Sequence, residues 1–196
     1  MVFRGIFSNW PGGRGDSGHK VSSPKRCGYV TCMYDLGEAK EKKGELGEAI
    51  SCWTRAILVA QRQRSCDIET ARALDSVGDK FTKHGRWDEA LAAWNEMLNV
   101  QKRYLRTDWH PEVARTLNKI GVALSRIRNG SDHTYSALMA FEKALEMQQD
   151  TLGPGHEDCV ETTQNMFKLL QGFRQREQRE EDELSESGSK EEEEER

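Results

Sequence analysis

Residues 71–98 read ARALDSVGDKFTKHGRWDEALAAWNEML. Apolar residues recur at three and four in Leu74, Val77 and Phe81, then in Ala90, Leu91, Trp94, Met97 and Leu98. That spacing builds an apolar stripe on each of two helices. Gly85 breaks the stretch, and a glycine there lets the chain cap the first helix in a left-handed conformation before reversing. Asp88 and Glu89 open the second helix, where negative charge suits the helix dipole. Gly78 and Ala90 are small, so the two helices can approach closely. Trp94, four residues after Ala90, fills the next layer. The stretch is a helical hairpin built for stacking.

The same register recurs on both sides. Leu36-Gly37, Val77-Gly78 and Ile120-Gly121 align, with glycines 41 and 43 residues apart. A turn glycine follows the first two after seven residues (Gly44, Gly85), an alanine after five more (Ala49, Ala90), and an aromatic after four more (Trp53, Trp94). The third unit repeats the pair as Ala137 and Phe141, with four extra residues placed around Asn129–His133. Period-3.6 patterning runs from about Cys32 to Phe173, with no alternating run of strand length. The expected fold is all-α: an α-solenoid of about three helix pairs, closed by a single capping helix over Asp158–Phe173. The first unit departs most, with a short, cysteine-rich first helix. At these packing positions Trp53, Trp94 and Phe141 read as core, while Trp109, in a linker, reads as exposed.

At nearly every diagnostic position residues 71–100 resemble a tetratricopeptide repeat. Repeats of that family lie about 34 residues apart, and these exceed that. The linker and helix starts explain the difference. Asp108-Trp109-His110-Pro111-Glu112-Val113 and Leu152-Gly153-Pro154-Gly155-His156-Glu157 are similar to those of the kinesin-light-chain type of repeat, the second with Glu157 in place of proline. The resemblance covers roughly residues 30–173. It implies a right-handed superhelix whose first helices line a concave groove that receives an extended peptide. Groove positions would then lie about six and three residues before the aligned glycine and one after it. These are Arg72, Asp75 and Asp79 in the second unit. In the third they are Arg115, Asn118 and Val122, with Lys119 adjacent. In the cap they are Thr162, Asn165 and Lys168. The family uses asparagine at the middle position to hydrogen-bond a peptide backbone, as an amide can satisfy N–H and C=O together. Asn118 and Asn165 match; Asp75 and Tyr34 depart. Arg72, Arg115 and Lys119 would favour an acidic ligand.

The implied function is a protein–protein adaptor or scaffold that binds a partner protein or a peptide segment. The alternatives are a cochaperone gripping an acidic chaperone C-terminus and a structural subunit completing a larger assembly. No phosphate-binding glycine loop, nucleophile elbow or His-Glu-x-x-His run is present, so no enzyme and no cofactor are expected. Cys27 and Cys32 lack a second pair and a suitable histidine, so no metal site is expected.

Charge divides the 196 residues into three. Residues 1–29 carry +4 and are rich in glycine, residues 174–196 carry −6, and the middle −2 completes the net charge of −4. We expect a disordered basic head at 1–29, a repeat domain at 30–173 and an acidic, mostly disordered tail at 174–196, with helix running on at most through Arg174–Glu183. The near-neutral middle offers no phosphate-backbone surface, so nucleic acid is not an expected partner. No stretch is apolar over the roughly 18 residues a membrane helix needs. The five cysteines are an odd number without a visible export signal, which suits reduced thiols in the cytoplasm. Arg14-Gly15-Asp16 reads as chance in such a chain, and Ser189 stands in an acidic context that suits acidophilic kinases.

Overall fold

The computed structural model describes residues 28–127 and 131–194. Most of the expected head therefore lies outside the described residues. Among the described residues seven helices follow in order: α1 (Tyr29–Lys42), α2 (Leu46–Gln63), α3 (Ile68–Lys83), α4 (Trp87–Leu105), α5 (Pro111–Arg126), α6 (Ser131–Leu152) and α7 (Glu157–Glu194). No strand occurs among the described residues. Helices pair as α1/α2, α3/α4 and α5/α6, and α7 stands alone. Alternate helices also meet, α1 with α3, α2 with α4 and α5 with α7, so the pairs stack into two layers.

Local chemistry explains where helices start and stop. Gly44 and Gly85 take φ of +81° and +70°, as a reversing left-handed cap requires. Beyond them Glu45 N–H donates to the Lys40 carbonyl at 3.0 Å and Arg86 N–H to the Phe81 carbonyl at 2.9 Å, satisfying carbonyls the helix leaves open. The Asp67 carboxylate caps α3, accepting from Thr70 N–H at 2.7 Å. His110 caps α5: its Nδ1 accepts from Glu112 N–H at 3.1 Å, with Pro111 at the first helical position. His156 repeats the device at α7, accepting from Asp158 N–H at 3.1 Å. Pro111 and Glu157 thus occupy equivalent positions, and the missing proline costs the cap nothing visible.

The aligned glycines do the packing work expected of them. A Cβ built on Gly37, Gly78 or Gly121 would lie closer than 3.0 Å to Trp53, Trp94 and Phe141 respectively. Each aromatic lies across the glycine of its own unit, and all three are buried. One core cluster runs from Val30 through Trp53, Leu74, Phe81 and Trp94 to Ala123, and smaller clusters around Met147 and Phe141 carry it on to Leu169. Trp53 stacks edge-on against Phe81 of the next unit, with centroids 5.9 Å apart, which joins the layers. Trp109 is 40% exposed, as its linker position predicts.

α7 differs from expectation in length. It continues as one helix to Glu194, whereas the sequence reading ends order near residue 183. Leu184, Lys190 and the glutamates are good helix formers and extend a helix already begun, which carries it past Ser185, Ser187, Gly188 and Ser189.

The matching histidine caps set the register of α7. They are 46 residues apart, and the same offset carries buried Thr116 onto buried Thr162 and Gly121 onto Phe167. On α5 the residues Ala114, Leu117, Gly121 and Leu124 face the second-helix side of their unit. Their counterparts on α7 are Val160, Thr163, Phe167 and Leu170, all exposed, with Phe167 at 59%. α7 therefore occupies the place of a first helix, and its second-helix stripe is bare. A further pair in the same register would drive its aromatic residue into Phe167.

Candidate functional site

The inner faces of α1, α3, α5 and α7 carry the expected groove residues, and most of these residues bond to the neighbouring unit. Between α1 and α3, the Lys80 ammonium bridges Glu38 at 3.0 Å and Glu41 at 2.6 Å, while His84 Nε2 lies 2.9 Å from Glu41. The hydrogen bond from Lys80 holds both carboxyls below the ordinary carboxylate range, against the upward push of their partial burial. The same pairing raises Lys80. Tyr34 stands at the groove's middle position, where burial and the Glu38 charge raise its phenol.

Between α3 and α5, Lys119 ties Asp75, by a short contact, and Asp79 at 3.2 Å. Its ammonium also lies 5.5 Å from the Trp94 ring centroid, so one cation braces two carboxylates and an aromatic. Between α5 and α7, Arg115 meets Asp158 at 3.0 Å. The Asn118 amide donates to Glu161 at 3.3 Å, and its carbonyl oxygen accepts from Asn165 at 3.2 Å. Arg72 pairs with Glu69 within its own helix at 3.3 Å and is largely exposed. Of the groove residues expected from sequence, Asp75, Asp79 and Lys119 thus form one cluster. Arg115, Asn118 and Asn165 belong to a second set of contacts, toward α7, and Arg72 stands apart.

Three details differ from the sequence reading. Asn118 is only 4% exposed, so its amide is held between neighbours rather than presented to a groove. Thr162 is fully buried and has no hydrogen-bond partner for its hydroxyl among the described residues. The cap register explains this: Thr162 matches buried Thr116, not Arg115. By the same offset Asn165 matches Lys119, one residue past the middle position.

Two clefts open along this face. The first, about 180 Å³, lies between α3 and α5. Ile68, Ala71, Met97 and Tyr104 contribute apolar wall, and Arg72, Asp75, Arg115, Thr116 and Lys119 the polar rim. Its floor is fixed by a hydrogen bond between units, from the Thr116 hydroxyl to Gln101 Oε1 at 2.8 Å. At one end the Tyr104 hydroxyl donates to Glu112 in a short bond; burial first and this carboxylate second push the phenol up to about 12. The second cleft, about 370 Å³, lies between the C-terminal half of α5 and the N-terminal half of α7, with Phe141 of α6 at its base. The sequence signal for it is weak, because its residues come from three helices and its polar residues from α5 and α7, which α6 separates. Among the described residues no group of three or more His, Cys, Asp or Glu side chains could hold a metal ion.

Residues 29–103, which span α1 to α4, match the family model for the tetratricopeptide repeat. The fold is similar to solved TPR-like repeats of Podosopora anserina that are nearly identical to one another and are ascribed to a kinesin light chain, and to a variant of them with one glutamine replaced by methionine. Each is 16% identical with a TM-score of 0.57, covering 78% of this chain and 70% of its own. No curated protein matches the sequence. Repeats of this family generally mediate binding between proteins and are typically scaffolds rather than enzymes. The match over residues 29–103 and the stacked helix pairs agree: these residues carry tetratricopeptide repeats, and the fold of the chain is similar to that of kinesin-light-chain TPR-like repeats.

Proposed function

We propose that the chain is an adaptor without catalytic activity that takes an extended segment of a partner protein along the face of α3, α5 and α7. The observation that carries this is the cleft between α3 and α5. It combines an apolar wall, from Met97 and Ile68, with a rim of both charge signs, the composition that fixes a peptide's side chain and its orientation together. Opposed carboxylates within the rim favour a mixed or neutral segment over a strongly acidic one. The cochaperone reading is weaker for this reason: Lys119 and Arg115 are neutralised by Asp75, Asp79 and Asp158. The subunit reading loses its C-terminal route, because Phe167 blocks a further pair in register. Among the described residues no helix is long and apolar enough to cross a membrane, and the odd cysteine count supports placement in the cytoplasm.

The test uses Arg72→Ala with Met97→Ala. Both line the cleft, and neither bonds to another unit in the contacts described above. Partners captured by the parent chain from lysate are expected to be lost from the double variant, with its helicity by circular dichroism unchanged. Equal recovery of every partner overturns the proposal.

A further inference from the structure

The two clefts differ in one respect that charge pairing decides. In the first, every cation on the rim has a carboxylate partner: Arg72 has Glu69, Arg115 has Asp158, and Lys119 has Asp75 and Asp79. The second is lined by Arg126, Lys168 and Arg176, and no carboxylate lines it. None of these three has an ion-pair partner among the described residues. Arg126 rests over the Trp87 ring, 5.9 Å from its centroid, and Arg176 Nε donates to the Gly172 carbonyl at 3.2 Å. Neither contact neutralises a charge.

Three like charges around one concavity repel each other unless an anion joins them. Elsewhere on this face acids stand opposite cations, so their absence here leaves a site that a ligand's charge would complete. The floor is apolar, formed by Val122, Phe141 and Leu169. Gly172 opens it further, since a Cβ there would meet nothing within 4 Å. Asn165 reaches the same cleft and stands at its junction with the Asn118 contact.

Resting on the reading that a peptide lies along this face, we propose that the α5–α7 cleft binds a phosphorylated side chain of that peptide. Charge complementarity selects this occupant. A phosphomonoester carries about −1.5 to −2 at neutral pH and three acceptor oxygens. Two guanidinium forks and an ammonium offer one cationic donor group to each of the three acceptor oxygens, and the phosphomonoester offsets more of their charge than a carboxylate can. A single carboxylate would satisfy one fork and leave two cations facing each other. The volume of about 370 Å³ admits a side chain bearing the group.

The test is fluorescence anisotropy with labelled degenerate seven-residue peptide pools whose central residue is phosphoserine, serine or glutamate. A fourth probe is a synthetic peptide of residues 180–196. The phosphoserine pool is expected to bind at least tenfold more tightly than the other three probes, and to weaken as salt rises. Arg126→Ala, Lys168→Ala and Arg176→Ala together are expected to abolish that preference. The same melting profile as the parent shows that the triple variant is folded; if it is not, single Lys168→Ala, on an exposed side chain, is expected to reduce the preference alone. Equal binding of the serine or glutamate pool, tight binding of the 180–196 peptide, no binding of the phosphoserine pool, or an unchanged preference in the folded variants each overturns the proposal. Peptide binding at the α3–α5 cleft is tested separately by Arg72→Ala with Met97→Ala. Absence of any phosphate preference in the parent chain, with its partner capture dependent on Arg72 and Met97, defeats this inference alone.

Discussion

Consider replacing Gly78 by alanine. In an exposed helix interior this change stabilises, because alanine is about 0.8–1.0 kcal/mol better than glycine as a helix former. At Gly78 the new methyl would stand closer than 3.0 Å to three atoms of the Trp94 indole, among them Cε2 at 2.6 Å and Cδ1 at 2.8 Å. Trp94 cannot yield easily: it is 3% exposed and packs within the core cluster shared by α2, α3 and α4. Overpacking of this kind costs about 1–3 kcal/mol. Helix propensity returns about 1 kcal/mol of that, leaving a net loss of about 1–2 kcal/mol when the larger cost applies. Gly47 supplies the control. It lies in the first turn of α2, and a Cβ there meets nothing within 4 Å, so Gly47→Ala should hold or raise stability. The assay is urea unfolding followed by circular dichroism at a helical wavelength, with the parent and both variants side by side. The reasoning requires opposite signs for one chemical change at two sites. If Gly78→Ala unfolds at the same or higher urea concentration than the parent, close approach at the aligned glycine is not what holds the pair together.

Lys119→Met removes the cation that joins Asp75 and Asp79, leaving two carboxylates facing each other. Stability should fall by about 1 kcal/mol, and the loss should shrink in high salt, as calorimetric melts at two ionic strengths will show. Glu38 and Glu41 have folded-state pKa values below the ordinary carboxylate value of 4.5. Their stabilisation is therefore present above that value and lost as pH falls through the depressed folded values. Lys80→Met should flatten this acid limb in a series of melts below about pH 5, and an unchanged slope would count against the Glu38–Lys80–Glu41 pairing. Tyr104 should ionise near pH 12 in an ultraviolet titration, and Tyr104→Phe should remove that component while leaving the other tyrosines in place. Phe167→Ala, at a bare position, should change stability by less than about 0.5 kcal/mol.

The parts of the fold legible in sequence were those set by contacts within one unit. Gly78, Gly85, Ala90 and Trp94 are fixed by the geometry of a single hairpin, so their spacing carries the signal directly. Contacts between units carry none of this kind. Lys119 and Asp75 are 44 residues apart, and nothing in either residue's neighbourhood announces the other. The groove residues could be placed on a face, but their mutual pairing depends on how far each first helix is displaced from the next. That displacement is also why Thr162 reads as a groove residue and is buried. Its register follows from the His156 cap, whose likeness to His110 becomes visible only when both are seen to accept a backbone N–H. Arg126, Lys168 and Arg176, which meet no carboxylate among the described residues, escape a sequence reading because a missing partner leaves no trace in it. Helix beyond residue 183 escapes it too, because charge composition argues for solvation and is silent on helix continuation.

Phe167 also bears on how such an array could lengthen. Repeat proteins grow when a segment encoding one unit is copied in tandem, and a new copy succeeds if it can seat against the old end without further change. Here the terminal first helix carries a large ring at the place where every other first helix carries hydrogen. A copied unit would arrive with its own Trp or Phe aimed at that ring, and the two side chains would exclude each other. Growth from this end would need two events in order, a reduction of Phe167 to a small residue and then the duplication. Phe167 is therefore the first side chain such a copy would have to displace, before α7 itself acquired the turn that Gly44 and Gly85 supply to the earlier units.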